Sequence, residues 1–170
     1  FVSSANQHPV DPSYPYYVFD NSYEHYRNRR LNGELRRFNS ITVEEMKALQ
    51  FDDYYLHAAE ALPVMLALLE TEDFEVEKAS KYLQELKNWD FYADPNQKAP
   101  SLFYNWWGKT YNQLWKEWEE WNVPVVRPNY YQTVKLMREN PESEFFDLSK
   151  TEERETAKTH INKAFEEMVA

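Results

Sequence analysis

At 170 residues the chain has the length of about one domain and can bury a core without disulfide or metal staples. Its formal charge of −10 repels phosphate backbones and anionic bilayers, which argues against nucleic acid and membrane surfaces as partners. The absence of cysteine removes disulfides, thiol nucleophiles and Cys-based metal sites. Two glycines against nine prolines disfavour glycine-rich phosphate loops, dinucleotide turns and repeated β-hairpins, leaving a mainly α reading. Aromatic residues make up 17% of the chain, more than a minimal bundle needs, so some ring surface is expected to meet a partner or ligand. No apolar run approaches the roughly 18 to 20 residues that cross a bilayer, and any export signal would lie outside this sequence.

Residues 1–22 carry Pro9, Pro12 and Pro15 among Asp, Asn and Ser, which predicts an extended, turning segment rather than a helix. Its first residues, Phe1 to Ser4, read as the end of a strand. From Tyr23 to Arg37 the spacing of Tyr23, Tyr26, Arg30 or Leu31, and Glu34 or Leu35 predicts a helix, weakened at Gly33 by about 1 kcal/mol relative to Ala. Thr42 and Glu45 are spaced as a capping box, with Ile41 and Met46 as its hydrophobic staple. The helix that follows is expected to run toward Leu62, burying Met46, Leu49, Leu56 and Ala59, and to kink or restart at Pro63.

A further helix fits Phe74 to Asn88, with Val76, Ala79, Leu83 and Leu86 on one side. NWDFYADPNQKAP reads as a polar loop. Ser101 is placed to cap the next helix, in which Leu102, Trp106, Tyr111 or Leu114, Trp115 and Trp118 can form an apolar stripe. Pro128 sits where it could open the helix carrying Val134, Leu136 and Met137. The last helix is expected to begin near Ser149 or Thr151, with Ser149 and Glu152 as a second capping box, and to bury Ala157, Ile161, Ala164, Phe165 and Met168. It reaches the final residue, so the sequence is expected to stop at a cut. The domain organisation is then an extended segment over 1–22 and a helical body over 23–170, together one structural domain.

Side-chain constellations are sparse. Four histidines are scattered, and no HExxH pair, GxSxG elbow or Ser-x-x-Lys motif occurs. His57 and Glu60 lie at i and i+3 near Asp52 and Asp53; a carboxylate–histidine metal site needs matching ligands from other helices, and a solvated face is the simpler reading. Arg27, Arg29, Arg30, Arg36 and Arg37 cluster in an acidic chain. They read either as surface ion pairs or as support for a polar site, since Arg presents a fixed fork of donors. The tryptophans read either as a core stripe or as a platform of Trp106, Trp107, Trp115 and Trp121 on which sugars or apolar peptides stack.

The ordered series ANQHPVDPSYPYY, YRNRRL, ITVEEMKALQFDDYYLHAAEALPVMLALL, LKNWD, APSLFYNWW and FFDLSKTEERETAKTHINKAF resembles the β-chain of the penicillin amidase family, N-terminal nucleophile hydrolases that include penicillin and acyl-homoserine lactone acylases. The resemblance implies a precursor that cuts itself to expose a serine whose own α-amino group is the base. It implies that this chain is an irregular multi-helix portion excised from a larger αββα hydrolase, with the nucleophile elsewhere and the fragment alone inactive. By position it makes Asn6 an oxyanion-hole donor and Arg27 the arginine bracing that asparagine. Where many members carry a second Asn or Asp, this chain has Gln7. Gln50, Asp52, Pro63, Trp89 and Asp90 fall on scaffold positions. No cofactor is required; calcium is possible in the full-length enzyme, with Asp20 the nearest candidate ligand although its spacing differs. The implied partners are the α-chain and the serine-bearing remainder of the same precursor, with a small-molecule amide as substrate, in the periplasm or outside the cell. The rival reading is a noncatalytic helical binding module that uses its aromatic surface.

Overall fold

The computed structural model describes residues 1–5, 7–8, 10, 13–18, 24–70, 77–120 and 125–170. Among them the backbone forms eight α-helices: α1 (Tyr26–Leu35), α2 (Val43–Gln50), α3 (Leu56–Leu68), α4 (Glu77–Lys87), α5 (Ala99–Leu114), α6 (Lys116–Glu120), α7 (Tyr130–Glu139) and α8 (Ala157–Val169). A 3-10 turn, Glu144–Phe146, precedes α8. The described residues hold no strand, only an isolated antiparallel bridge between Tyr54 and Tyr92, so the chain is mainly α. Phe1 to Ser4 lie in no regular element, against the expected strand end.

The core is the seam between α5 and α8, the most extensive helix contact, with α4 packed on α5 and with α3 against α7 and α8. Trp106 of α5 meets Phe165 of α8 edge to face, with ring centroids 5.0 Å apart, and its indole N–H donates to the Ile161 carbonyl at 3.0 Å. Trp115 donates to Thr133 Oγ1 at 3.1 Å, and that hydroxyl donates in turn to the Asn129 carbonyl at 2.9 Å. Trp106 and Trp115 thus each bring their polar edge to a partner on another element. Trp106, Trp107 and Trp115 are 0, 2 and 1% exposed. They are core, the first of the two readings, and these three offer no exposed stacking surface; Trp121 lies outside the described residues.

Several boundaries differ from the sequence reading. The Thr42–Glu45 capping box forms as expected, but its helix ends at Gln50, and α3 begins separately at Leu56. The chain turns between them because Asp53 and Tyr55 pair with the loop that follows α4: the Ala93 N–H donates to the Asp53 carbonyl at 3.2 Å and the Tyr55 N–H to the Phe91 carbonyl at 2.7 Å. Helix α2 consequently buries no residue, and Met46 stays exposed. Pro63 does not break α3. It sits on the exposed side of a continuous helix, where α7 and α8 pack on the opposite, apolar side; packing there outweighs one missing backbone hydrogen bond.

Ser101 does not cap α5, which starts at Ala99 with Pro100 in its first turn, a position where the absent proline N–H costs nothing. The Ser149–Glu152 capping box does not form. Ser149 Oγ donates to Glu117 at 2.9 Å, and α8 is capped by Thr156, through the reciprocal Thr156–Thr159 pair. Pro128 lies just before α7, whose cap is Asn129 paired with Gln132. The start of the helix predicted from Phe74 to Asn88, residues 74–76 with Val76 included, lies outside the described residues; Ala79, Leu83 and Leu86 are buried as expected.

The 88–93 loop is polar by composition but packs into the body. Trp89 is buried, its N–H donating to the Tyr92 carbonyl at 2.8 Å. Phe91 adopts φ 67°, a left-handed conformation that costs a bulky residue about 1–2 kcal/mol. That cost is held by the Tyr55 hydrogen bond and by Phe91 packing on Trp89, with centroids 5.4 Å apart. This strained loop fixes residues 53–55, and so aims the start of α3.

Candidate functional site

A cavity of about 720 Å³ lies where α1, the end of α2, the 52–55 turn and the first turns of α3 and α7 converge. Ala5 reaches it from the N-terminal segment and Arg27 from α1. Tyr26, Arg30, Asp52, His57 and Tyr130 also line it, with Glu24 just ahead of α1.

The N-terminal segment is held at this place by side-chain hydrogen bonds. Ser3 Oγ donates to Asn32 Oδ1 at 2.8 Å. Gln7 Oε1 accepts the Ala5 N–H at 2.7 Å, and its Nε2 donates to the Ser3 carbonyl at 3.2 Å. Gln7 thereby ties its side chain to the backbone of both Ser3 and Ala5. Asn6 itself lies outside the described residues, as does Asp20.

The arginine cluster divides. Arg30 makes a two-pronged pair with Asp52, Nε to Oδ2 at 2.7 Å and Nη2 to Oδ1 at 2.8 Å, and reaches Glu34 at 2.8 Å. Its guanidinium also lies over the Tyr54 ring at 4.3 Å. The Asp52 hydrogen bond, ahead of the charge of Asp52 and Glu34, raises the Arg30 pKa. Arg29 Nη1 donates to Glu60 Oε2 at 3.0 Å, and Arg37 pairs with Glu34 at 3.2 Å. For these three the ion-pair reading holds. Arg27 alone joins Arg30 on the cavity wall.

His57 overturns the expectation of a solvated face. It is 2% exposed and enclosed by the rings of Tyr26, Tyr55, Phe103, Trp107 and Tyr130, with centroids between 4.5 and 5.7 Å away. Burial pushes its pKa from the ordinary 6.5 down to about 3, so the imidazole is neutral at physiological pH. The carboxylates once grouped with it, Glu60 and Asp52, are turned to Arg29 and Arg30. Among the described residues no group of three or more His, Asp or Glu could hold a metal ion.

Glu24, Tyr130 and His57 are site residues that the sequence reading missed. The Tyr130 N–H, at the start of α7, donates to Glu24 Oε1 at 2.5 Å across 106 positions of sequence. Burial raises the Glu24 pKa, and that hydrogen bond partly offsets the rise. The Asn129–Gln132 capping box is a local signal for the start of α7; nothing local pairs it with Glu24.

No helix among the described residues is long and apolar enough to cross a membrane. Comparison with curated proteins and with solved structures finds no match. The family model described as Penicillin amidase matches residues 1–170, the whole chain. By that match over its whole length, the chain belongs to the penicillin amidase family.

Proposed function

We infer that this chain is the helical part of an amide hydrolase whose nucleophile, an N-terminal serine, lies outside it. In that reaction the serine hydroxyl attacks the carbonyl of a linear amide while the α-amino group takes its proton. The tetrahedral oxyanion collapses, the C–N bond breaks as the proton passes to the departing amine, and water then releases the acyl group from the serine. Asn6 donates its side-chain N–H to the oxyanion, Arg27 orients it, and the segment 1–22 delivers it to the helical body 23–170. The α-chain and the serine-bearing remainder of the precursor complete the enzyme, and the fragment alone is inactive. No cofactor takes part in the acyl transfer, and export to the periplasm or beyond follows the family.

The observation that supports this reading best is the shared cavity of Ala5 and Arg27, with Gln7 tied to the backbone of Ser3 and Ala5. An amide N–H aimed at developing charge needs a fixed backbone, because a donor that must reorganise stabilises the transition state less. The test is Asn6→Ala in the full enzyme. Self-cleavage and fold should survive while turnover falls about 100- to 1000-fold, the usual cost of one oxyanion donor; unchanged turnover would refute the assignment.

A further inference from the structure

We propose that the Glu24 end of the cavity is a binding site for an organic cation, an ammonium group on a small apolar body, held by the Glu24 carboxylate and the tyrosine rings beside it. The site goes beyond the hydrolase reading and does not rest on it.

Glu24, just ahead of α1, lines the cavity and is half-buried. Its Oε1 accepts the Tyr130 N–H, and no arginine, lysine or histidine pairs with it among the described residues. The neighbouring carboxylates are all engaged by arginines: Asp52 by Arg30, Glu34 by Arg30 and Arg37, and Glu60 by Arg29. Burial raises the Glu24 pKa, and only the Tyr130 N–H opposes the rise. Arg27 lines the same cavity, yet it is not among the groups that shift Glu24. A half-buried carboxylate without a counter-charge is unfavourable, and a bound cation relieves it.

The surroundings of Glu24 suit a cation. Tyr55 and Tyr130 share the cavity wall with it, and Tyr111 meets Tyr130 edge to face with ring centroids 4.8 Å apart. Burial first, with the Glu24 charge among the further causes, raises the pKa of all three phenols, so they stay neutral at physiological pH. Ring faces attract an ammonium group, and phenol and carboxylate oxygens accept its N–H bonds. The carboxylate repels an anion at the same place. Leu31, Leu49 and Leu56 line another part of the wall and suit an apolar body. A cavity of about 720 Å³ lies within the range that encloses small molecules.

The test titrates the full-length protein that carries this chain, at pH 7.5, with hexylammonium, hexanol and hexanoate, followed by calorimetry. The three probes share one apolar body and differ in the charge of the head group. Hexylammonium should bind saturably, with the neutral and anionic probes weaker by about tenfold or more, the lower end for hydrogen bonds to a charged group. Glu24→Gln keeps an oxygen for the Tyr130 N–H and removes the charge, and should weaken hexylammonium by a similar factor while leaving hexanol unchanged. Tyr130→Leu removes a ring face and leaves the carboxylate, and should weaken hexylammonium about two- to fivefold. Circular dichroism checks that each variant folds; should Glu24→Gln fail to fold, Tyr130→Leu and the preference of the unmodified protein for hexylammonium over hexanol carry the test. No saturable hexylammonium response, equal binding of the three probes, or unchanged hexylammonium binding to the folded variants would overturn the proposal.

Discussion

Acidification should destabilise this protein through His57 in a way that a single substitution isolates. The imidazole is buried among aromatic rings, and burial lowers its pKa from 6.5 to about 3. Below pH 6.5 the unfolded chain takes up a proton that the folded chain refuses, so stability falls with falling pH throughout the window from 6.5 to about 3. Each full pH unit in that window costs about 1.4 kcal/mol. Between pH 7 and pH 5 the proton uptake of a group with unfolded pKa 6.5 amounts to about 2 kcal/mol. Urea denaturation at both pH values measures it, provided the slope with denaturant is unchanged. His57→Phe removes this one titration while keeping an aromatic ring, and the contributions of His160, His25 and the carboxylates are common to both proteins. The wild type should therefore lose about 2 kcal/mol more than the variant on going from pH 7 to pH 5. Parallel losses would show that the buried imidazole does not titrate as the structure requires.

Replacing Trp106 by Ala removes the largest ring from the α5–α8 seam together with the indole donor to Ile161; about 3–5 kcal/mol of stability should go, measured as a shifted urea midpoint. Asn129→Ala deletes the side-chain acceptor for the Gln132 N–H at 2.9 Å and should cost about 1 kcal/mol, visible as faster hydrogen exchange in the first turn of α7. The rings of His8 and His25 lie 4.5 Å apart at the join between the N-terminal segment and α1. Burial first, then the charges of His8 and Arg29, lower the His25 pKa, so protonation below pH 6.5 opposes the folded arrangement. Amide exchange over residues 3–8 should accelerate as pH falls through 6, after correction for the intrinsic rate, and His25→Phe should flatten that dependence.

The match between sequence and structure is closest where one short segment supplies every partner. Thr42 and Glu45 sit three residues apart and satisfy each other's backbone N–H groups, so the α2 cap was legible. The apolar repeat of Ala79, Leu83 and Leu86 likewise carried its own face. Ser149 and Glu152 have the same spacing as Thr42 and Glu45, yet Ser149 turns to Glu117 and α8 takes Thr156 as its cap. A capping box competes with every other acceptor in reach, and those acceptors come from tertiary packing. Pro63 inside α3 is the same lesson for a breaker residue.

The site was legible in part for the same reason. Arg27 was marked by its place in YRNRRL, and the structure puts it on the cavity with Ala5. Glu24 and Tyr130, joined across 106 positions, left no mark on the sequence, because their pairing depends on how α1 and α7 approach. By itself the sequence determined the helical class, the absence of thiol chemistry, the arginine-rich segment of α1 and the family, since composition, local spacing and an ordered series of motifs survive without coordinates. Only the tertiary structure decided which tryptophans are core, which arginines are spent in ion pairs, and that His57, read as part of a solvated face, is buried among aromatic rings. Burial is a property of the neighbours a residue acquires on folding, and it is burial that turns an ordinary histidine into a neutral donor and acceptor.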